Sequence, residues 1–338
     1  MKQPFFSIII ATYNSEETLK YTLESIAEQT IDVAEVETII IDGGSSDDTL
    51  SIAKQYGAEI LNNPYKLPEY AKAIGTEYAH GKYVIRMDSD EEFAYKNQLN
   101  DRMDFLIKNP NVKVLLPNRL ISGNRGLCGM SADYMNTFGD PFSLFVYNTK
   151  IDKYDTYAAN ICDNDGRYAI MRFKRDDIYP LADSATTVLS LDYMREKFPN
   201  SYCDIDFTCG AIDRIIDSTE LCACAKGDDV YHNCSSSIGV YLSKLRFRVV
   251  NNIFHKEESG FSAREGMSRK LRYRKILFCL YAAFIPAPIF DSFRLAIKYC
   301  NLTYVLHFVY LYYVCVQIAK FGLLKIVGRT ADNKNYGK

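Results

Sequence analysis

The stretch VIRMDSDEEF, residues 84–93, is an apolar strand that runs directly into four carboxylates: Asp88, Asp90, Glu91 and Glu92. An unpaired carboxylate is costly to bury, so such a cluster is solvated, paired with basic groups or arranged around a metal ion. We assign Glu91 and Glu92 to a solvated acidic loop. Asp88 and Asp90 are spaced so that one carboxylate can face a metal ion while the other holds a ribose or fixes the turn.

The same unit, an apolar strand followed by polar residues, recurs in the N-terminal part of the chain. Apolar runs begin at Phe5 and Val36, and stretches with helical periodicity separate these runs. We predict the first helix from Asn14 to about Gln29, with Asn14 as its N-cap and Glu17 completing a capping box. Continuous apolar strands separated by helices indicate a parallel sheet that is covered on both faces, so the predicted fold class is α/β.

Three of the predicted strands end in polar residues. Ligands of such sheets bind beyond the carboxyl ends of the strands, so these ends predict a binding site at one edge. Glycines at the second end permit close backbone approach, and Asp42 there can accept a hydrogen bond from a base or a sugar. Mg²⁺ or Mn²⁺, which binds few protein carboxylates together with phosphate oxygens, suits the third end. The three ends are Thr12-Tyr13-Asn14, Asp42-Gly43-Gly44-Ser45-Ser46-Asp47 and Asp88-Ser89-Asp90.

The composition indicates a globular protein with no field that would attract nucleic acid. The 338 residues are 48% apolar, and 40 Lys and Arg nearly balance 42 Asp and Glu, for a net charge of −2. The ten cysteines include no CxxC pair, and no basic start with an apolar segment follows Met1, so we expect reduced thiols in a cytoplasmic protein. Cys222 and Cys224, with Cys234 and His232 nearby, are a weak pattern for zinc, and we expect small buried cysteines on strands instead.

The C-terminal region combines basic and apolar runs that predict attachment to a membrane surface. RKLRYRK (269–275) packs five basic residues into seven, which suits anionic headgroups. ILFCLYAAFIPAPIF (276–290) is uncharged but too short to span, and Pro286 and Pro288 interrupt it, so we expect an interfacial or re-entrant segment. Residues 299–319 are long enough to span a membrane, and whether they span it or lie flat on it stays open. The alternative to membrane attachment is that both apolar segments are buried helices in an ordinary core.

Four segments taken together resemble the family 2 glycosyltransferases, which have the GT-A fold. These segments are ATYNSEETL, IDGGSSDDT, AKAIGTEYAHGKYVIRMDSD and CDID, and their order and spacing are similar to that family's motifs. The resemblance is strong over about residues 5–118 and looser over 181–235. It implies a Rossmann-like mixed sheet with helices on both faces, and the basic and apolar runs add a helical, membrane-associating C-terminal region. The implied segments are a nucleotide-sugar-binding half (1–118), an acceptor-binding half (119–238) and the membrane-associated region (239–338).

The resemblance also implies roles for the residues at the strand ends. The implied nucleotide-sugar site comprises Thr12, Tyr13, Asn14, Asp42, Gly43, Gly44, Lys72, Asp88 and Ser89. The first two frame the base, Asp42 hydrogen-bonds the base, and Asp88 meets the ribose side. Asp90 coordinates the Mg²⁺ or Mn²⁺ that bridges the two phosphates, with Asp88 and the late His232 as further ligands.

Two positions depart from the family's pattern. Lys72 stands where the family often has Arg, so a bidentate contact with phosphate is lost. Asp204 in YCDIDF matches the catalytic base that takes the proton of the acceptor hydroxyl, although Cys203 stands where Glu is usual. The alternatives are that Asp204 caps a helix and that Asp183 is the base.

These inferences predict a metal-dependent, inverting glycosyltransferase that uses a nucleotide-diphosphate sugar, with UDP as the expected nucleotide. Its acceptor is a glycan or a lipid-linked molecule at the cytoplasmic face of the cell membrane. A sugar-phosphate nucleotidyltransferase matches less well because ATYNSEE is acidic where that chemistry needs a basic, glycine-rich turn. A dinucleotide oxidoreductase would need GxGxxG after the first strand. A membrane-tethered protein that binds sugar nucleotides without turnover stays open because Cys203 replaces Glu.

Overall fold

The apolar runs of the sequence form the strands of one large sheet in the computed structural model of the protein, which describes residues 3–180, 185–234, 237–254 and 269–331. The strands are β1 (Phe6–Thr12), β2 (Val36–Asp42), β3 (Glu59–Asn62), β4 (Tyr83–Asp88), β5 (Glu91–Phe93), β6 (Val114–Leu116), β7 (Arg119–Ser122), β8 (Ile161–Asn164), β9 (Tyr168–Arg172), β10 (Thr187–Ser190), β11 (Leu221–Ala225) and β12 (Asp229–His232). The helices are α1 (Leu19–Ala27), α2 (Thr49–Gln55), α3 (Pro68–Tyr78), α4 (Gln98–Lys108), α5 (Ala132–Phe138), α6 (Pro141–Tyr147), α7 (Lys153–Thr156), α8 (Leu191–Lys197), α9 (Ile205–Thr219), α10 (Ile238–Phe254), α11 (Arg269–Ala283), α12 (Pro286–Lys298) and α13 (His307–Ile326).

Nine strands of the described chain form the central sheet, in the order β3-β2-β1-β4-β10-β6-β11-β9-β8. β1 pairs in parallel with both β2 and β4, so three of the apolar runs end at the same edge. β10 runs antiparallel between β4 and β6, which makes the sheet mixed. The predicted α/β class with a mixed sheet is confirmed.

β1 is buried along most of its length because its alternating side chains enter two different apolar layers. Ile9 belongs to the layer that α3 and α9 cover, whereas Ile8 and Ile10 belong to the layer that α1 and α4 cover. Full burial of one such side chain contributes about 1.5–3 kcal/mol, so this strand anchors both faces. Cys222 and Cys224 are likewise fully buried on β11, as expected for small core residues.

The first helix begins later than predicted. α1 starts at Leu19 with Thr18 as its N-cap, and no side chain caps it. Asn14 has a φ of 49°, in the left-handed region, and its Oδ1 accepts a hydrogen bond from the Ser46 N–H at 2.9 Å. The predicted capping box of Asn14 and Glu17 is therefore wrong, because the turn after β2 competes for the Asn14 side chain.

A second, three-stranded sheet stands beside the carboxyl edge of the central sheet. β12 lies in its middle, antiparallel to β5 and parallel to β7. Only Ser89 and Asp90 separate β4 from β5. The small sheet is therefore attached directly to the acidic stretch, and it aligns His232 with Glu91.

The C-terminal helices include a sharp bend at the prolines. α11 and α12 meet at 98°, and α12 begins at Pro286, so the predicted interruption is confirmed. Within the described residues, Leu302–Ile326 is the one helix that is long and apolar enough to cross a membrane, and the bent pair would add a second if counted as one span. This helix lies further along the chain than the predicted segment 299–319.

Candidate active site

The carboxyl ends of β1, β2 and β4 meet at one edge of the central sheet. Thr12 lies opposite Asp42 across β1 and β2, and Ala11 lies opposite Asp88 across β1 and β4. Parallel pairing makes this inevitable, because the ends of neighbouring parallel strands point the same way. The structure therefore brings the three polar strand ends together.

The carboxylate of Asp42 organises the turn after β2. It is buried, and its Oδ1 accepts hydrogen bonds from the hydroxyls of Thr12 (3.0 Å) and Ser45 (2.5 Å). Its Oδ2 accepts from the N–H groups of Gly44 and Ser45, both at 2.8 Å. Gly44 has a φ of 89°, which this turn requires and which a glycine adopts freely. Four donors fill the acceptor positions of one carboxylate, so a ligand can bind Asp42 only when a hydroxyl turns away.

Gly43 is buried between Tyr13 and Lys66, and its lack of a side chain lets the three residues pack closely. A Cβ at Gly43 would come within 3.4 Å of the Tyr13 ring, the Lys66 Cα and the Thr12 carbonyl oxygen. The Tyr13 side chain is 44% exposed, and Lys66 Nζ lies 5.5 Å from its ring centroid. An aromatic ring that is nearly half exposed suits stacking with a planar ligand. We call Tyr13, Gly43 and Lys66 the aromatic platform.

Hydrogen bonds hold the turn after β4 against α1. Ser89 Oγ donates to Ser15 Oγ at 2.9 Å, and Thr22 Oγ1 donates to the Ser89 carbonyl oxygen at 2.9 Å. On the other side of the turn, Lys72 of α3 places its Nζ 3.7 Å from Asp88 Oδ1. Lys72 is nearly buried, so α3 directs one positive charge at the start of this turn.

β12 brings His232 to the end of β4. His232 Nε2 lies 3.2 Å from Asp90 Oδ2, and His232 Nδ1 lies 2.7 Å from Asn136 Oδ1. The Asn233 N–H donates to the Asp90 carbonyl oxygen at 2.7 Å, which joins the two segments. Burial by itself lowers the pKa of His232, but the Asp90 carboxylate, with a further contribution from Cys234, raises that pKa well above its ordinary value. Burial by itself raises the pKa of Asp90, and the charge of His232 reverses this, so that pKa is lowered.

Asp90 and His232 fit part of a site for a divalent cation. Adjacent ligands of an octahedral ion are about 3.0 Å apart when each bond is about 2.1 Å, and the 3.2 Å between Asp90 Oδ2 and His232 Nε2 is close to that. A cation there must replace the proton that joins the two groups. Among the described residues, no group of three or more His, Cys, Asp or Glu side chains is arranged around a common point for a metal. Because Asp88 faces Lys72, a cation held by Asp90 and His232 would need other ligands, such as phosphate oxygens and water, to complete its coordination.

Glu91 and Glu92 are buried rather than solvated, so the prediction of a solvated acidic loop is wrong. Glu91 Oε2 accepts from the Asp88 N–H at 3.0 Å, and burial together with the Asp88 charge raises the pKa of Glu91 to about 8. Glu92 pairs with Arg125, whose Nη2 lies 2.7 Å from Glu92 Oε2. The error arises because β5 pairs with β12, a strand from a distant part of the chain, which covers this segment.

Asn136 of α5 is a site residue that the sequence analysis did not identify. Its Oδ1 contacts His232 Nδ1, and its Nδ2 donates to Ser122 Oγ at 3.3 Å. No sequence motif identifies Asn136, because it lies far from His232 in the chain and the two residues meet only in the folded protein. The one available signal is a buried amide among the apolar side chains of α5, such as Met135 and Phe138, because buried polar groups need partners.

Asp204 begins α9 on the same side of the sheet as Lys72. It is the N-cap residue of α9, as the alternative interpretation expected, but its side chain makes no capping hydrogen bond and is exposed. α9 packs against α3, and Arg86 Nη1 of β4 donates to the Thr208 carbonyl oxygen at 2.7 Å. The Asp204 carboxylate thus stands at a helix start that is attached to β4. Asp183, the rival base, lies outside the described residues.

The comparisons with known proteins point to one enzyme family. The model of the family described as "Glycosyl transferase family 2" matches residues 7–177. The chain is 28% identical over 124 residues to poly(ribitol-phosphate) beta-N-acetylglucosaminyltransferase TarS of Staphylococcus aureus, which covers 35% of this chain and 22% of TarS. It is 29% identical over 127 residues to UDP-Glc:alpha-D-GlcNAc-diphosphoundecaprenol beta-1,3-glucosyltransferase WfgD of Escherichia coli, which covers 36% of this chain and 49% of WfgD. The matched region thus spans less than half of either relative.

A solved structure has the same fold. The mannosyltransferase PcManGT from Pyrobaculum calidifontis, in complex with GDP-Man and Mn²⁺, superposes with a TM-score of 0.55 at 14% sequence identity. The superposition covers 94% of this chain and 88% of that one. The central mixed sheet and its helices therefore have the architecture of a GT-A enzyme.

Proposed function

The chain belongs to glycosyl transferase family 2, and from this premise we propose that it is a metal-dependent, inverting glycosyltransferase. It takes a hexose or N-acetylhexosamine from a nucleotide-diphosphate donor, with UDP as the nucleotide. The acceptor is a glycan or a lipid-linked molecule presented at the cytoplasmic face of the membrane.

The pairing of Asp90 with His232 next to the aromatic platform is the observation that carries this proposal. The platform offers a stacking face for a base, and the pair offers two ligands for a cation. The two features adjoin the same sheet edge, because β1 carries the first and its parallel neighbour β4 leads into the second. A nucleoside diphosphate, with a planar base at one end and two phosphates at the other, suits this arrangement.

Each group at this sheet edge, which we call the cleft, then has a task in donor binding. Tyr13 stacks on the base while Asp42 keeps the turn after β2 in shape. Lys72, which pairs with Asp88 at 3.7 Å, contributes a positive charge near the phosphates. Asp90 and His232 would hold a divalent cation, which would offset the negative charge that develops on the departing nucleoside diphosphate.

Asp204 is the proposed base for the transfer step. Inversion by a single displacement needs a group that takes the acceptor hydroxyl's proton on the face opposite the leaving group. The Asp204 carboxylate is exposed and makes no capping bond at the start of α9. It can therefore accept that proton without first breaking a capping hydrogen bond.

The relatives' names support the choice of donor and acceptor. WfgD is named for a UDP-glucose donor and a diphosphoundecaprenol-linked acceptor, and TarS for N-acetylglucosamine transfer to poly(ribitol-phosphate). PcManGT was solved with Mn²⁺. By analogy we assign a UDP-sugar, Mn²⁺ or Mg²⁺, and an acceptor from polysaccharide or glycoconjugate synthesis.

The test is release of UDP from a panel of UDP-sugars with Mn²⁺ or Mg²⁺ and a membrane fraction as the acceptor source. We expect metal-dependent release, and we expect Asp90→Asn to lower it at least about 100-fold. Asp104→Asn, which changes an exposed acid on α4, is the matched control and should retain turnover. Thermal unfolding of both variants checks that the fold is intact.

Two outcomes would contradict parts of this proposal. Full turnover in the presence of EDTA would exclude a required cation, and full turnover of Asp90→Asn would exclude the assigned ligand. A donor that stabilises the folded chain against heat without any UDP release would instead support a binding protein without turnover.

A further inference from the structure

We propose that the chain docks on one leaflet of an anionic lipid bilayer through the bend between α11 and α12, while α13 lies along the protein's own fold instead of crossing. This proposal adds a lipid partner to the proposed function. It rests on that function in one respect, namely that the acceptor is presented at a membrane. Its physical basis is an exposed apolar bend, a local excess of positive charge and the packing of α13.

Two helices present apolar side chains away from the rest of the fold. On α11, Tyr273, Ile276 and Leu280 recur at helical spacing, and each is more than half exposed. On α12, Phe290 and Phe293 are also more than half exposed. Between residues 273 and 297, nine large apolar side chains of the described chain are exposed. Such a concentration of exposed apolar side chains on two neighbouring helices indicates a contact with another apolar phase.

The bend places further apolar side chains at its apex. α11 ends at Ala283 and α12 begins at Pro286, and Phe284 and Ile285 in the break are 65% and 54% exposed. α11 has 15 residues and α12 has 13, whereas a span needs about 20. Two short helices that meet at 98° therefore suit insertion into one leaflet.

The charge of this region matches an anionic surface. Residues 269–329 contain ten Lys and Arg but a single acid, Asp291, although the whole chain has a net charge of −2. Arg272, Lys298 and Lys320 are exposed. Such an excess attracts anionic headgroups, and it repels a second copy of the same surface. The charge therefore favours a lipid surface over self-association.

α13 lies along α10 over most of its length. The rings of Tyr310 and Tyr241 are 4.7 Å apart near the starts of the two helices, and those of Phe321 and Phe254 are 6.3 Å apart near their ends. The guanidinium of Arg246 on α10 lies 5.3 Å from the Phe321 ring. If α13 crossed a bilayer, it would draw Arg246 towards the hydrocarbon, which is costly for a charged side chain. α13 therefore stays with α10, and its uncovered apolar side rests on the leaflet instead of crossing it.

α5 connects the docking region to the candidate active site. Asn301, in the connection between α12 and α13, donates through Nδ2 to Asp133 Oδ2 at 2.8 Å. One turn further along the same helix, Asn136 contacts His232. The lipid-facing bend and the cleft thus belong to one packed unit, which keeps the cleft close to an acceptor that the membrane holds.

The test is flotation of the full chain with sealed vesicles of phosphatidylcholine, either alone or with about 30% phosphatidylglycerol. We expect binding to the anionic vesicles and not to the neutral ones. The double variant Phe290→Ser, Phe293→Ser should lower the bound fraction about tenfold or more. Ile107→Ser, at an exposed apolar position on α4, is the matched control and should bind as the unchanged chain does.

The same samples separate this proposal from the proposed function. UDP release in solution should be equal in the double variant and the control, because neither touches the cleft. If no sample releases UDP but the unchanged chain still binds the anionic vesicles, only the enzyme assignment is overturned. Equal flotation of the double variant and the control, or no flotation of any sample, would overturn the docking surface. A dimer that light scattering detects in the unchanged chain and not in the double variant would also overturn it, because the apolar side chains would then serve self-association.

The position of α13 has its own readout. A protease added outside the vesicles should remove a C-terminal tag from all bound protein if α13 does not cross. Protection of the tag, reversed by detergent, would show that α13 crosses and would overturn that part of the proposal.

Discussion

The acidic side chains that follow β4 coexist because each has its own neutralising partner. The partners are Lys72 for Asp88, His232 for Asp90, a proton at neutral pH for Glu91, and Arg125 for Glu92. A cation that replaced the proton between Asp90 and His232 would alter one of these arrangements and leave the other three in place. Separate partners therefore let one carboxylate serve as a ligand without exposing the others to mutual repulsion.

Asp204→Asn should remove the proposed base while it preserves the helix start. We expect kcat/KM for sugar transfer to fall about 10²–10⁴-fold, with donor binding by thermal shift unchanged. Asp206→Asn, in the first turn of the same helix and also exposed, is the matched control and should retain transfer. Full transfer by Asp204→Asn would assign the base elsewhere, and Asp183→Asn would be the next variant to measure.

Two elements from the later part of the chain complete the site that β4 begins. β12 aligns His232 with β5, and α5 supplies Asn136 as the partner of the other imidazole nitrogen. A second partner of this kind sets the orientation and tautomer of a ligating histidine. We therefore regard Asn136 as a positioning residue that acts through His232.

Asn136→Ala should loosen His232 without removing a ligand. We expect the Mn²⁺ concentration for half-maximal turnover to rise about 10–100-fold, and Asn136→Asp, which keeps an acceptor at the same place, should restore it. Asn100→Ala, an amide substitution on α4, is the control. If Asn136→Ala lowers the stability of the protein but leaves the Mn²⁺ dependence of turnover unchanged, Asn136 has a structural role only.

At the scale of the whole molecule, a buried ion pair connects α4 with the turn that joins the two sheets. Arg102 of α4 and Asp228, in the turn before β12, are both fully buried, with Nη2 and Oδ1 3.0 Å apart. Arg102 Nη1 also donates to the Thr186 carbonyl oxygen just before β10. The pair therefore connects a helix of the central sheet with the small sheet that carries His232.

Asp228→Ala should leave the Arg102 charge buried without its partner. Loss of one member of such a pair destabilises by about 3–5 kcal/mol, which urea unfolding can measure. Glu28→Ala, which breaks an exposed pair with Lys96, should cost less than about 1 kcal/mol. Equal unfolding midpoints for the two variants would mean that the buried pair does not hold the sheets together.

Features that depend on neighbours in the chain could be predicted before the fold was known. The alternation of apolar strands and helices was sufficient for the α/β sheet, and parallel pairing then required Thr12, Asp42 and Asp88 to meet at one edge. The break before Pro286 follows from the missing N–H of proline in the same way. These features depend on residues that are close in the chain, so the pattern of the sequence is enough to predict them.

Partners that are distant in the chain became visible only in the folded molecule. Asn14 bonds the turn after β2 instead of starting a helix, Glu91 and Glu92 are covered by β12, and Asn136 reaches His232. The free energy of a polar pair depends on burial, distance and competing donors, and these quantities exist only once the strands are packed. Whether a carboxylate is solvated, protonated or paired is for that reason a property of the assembled sheets.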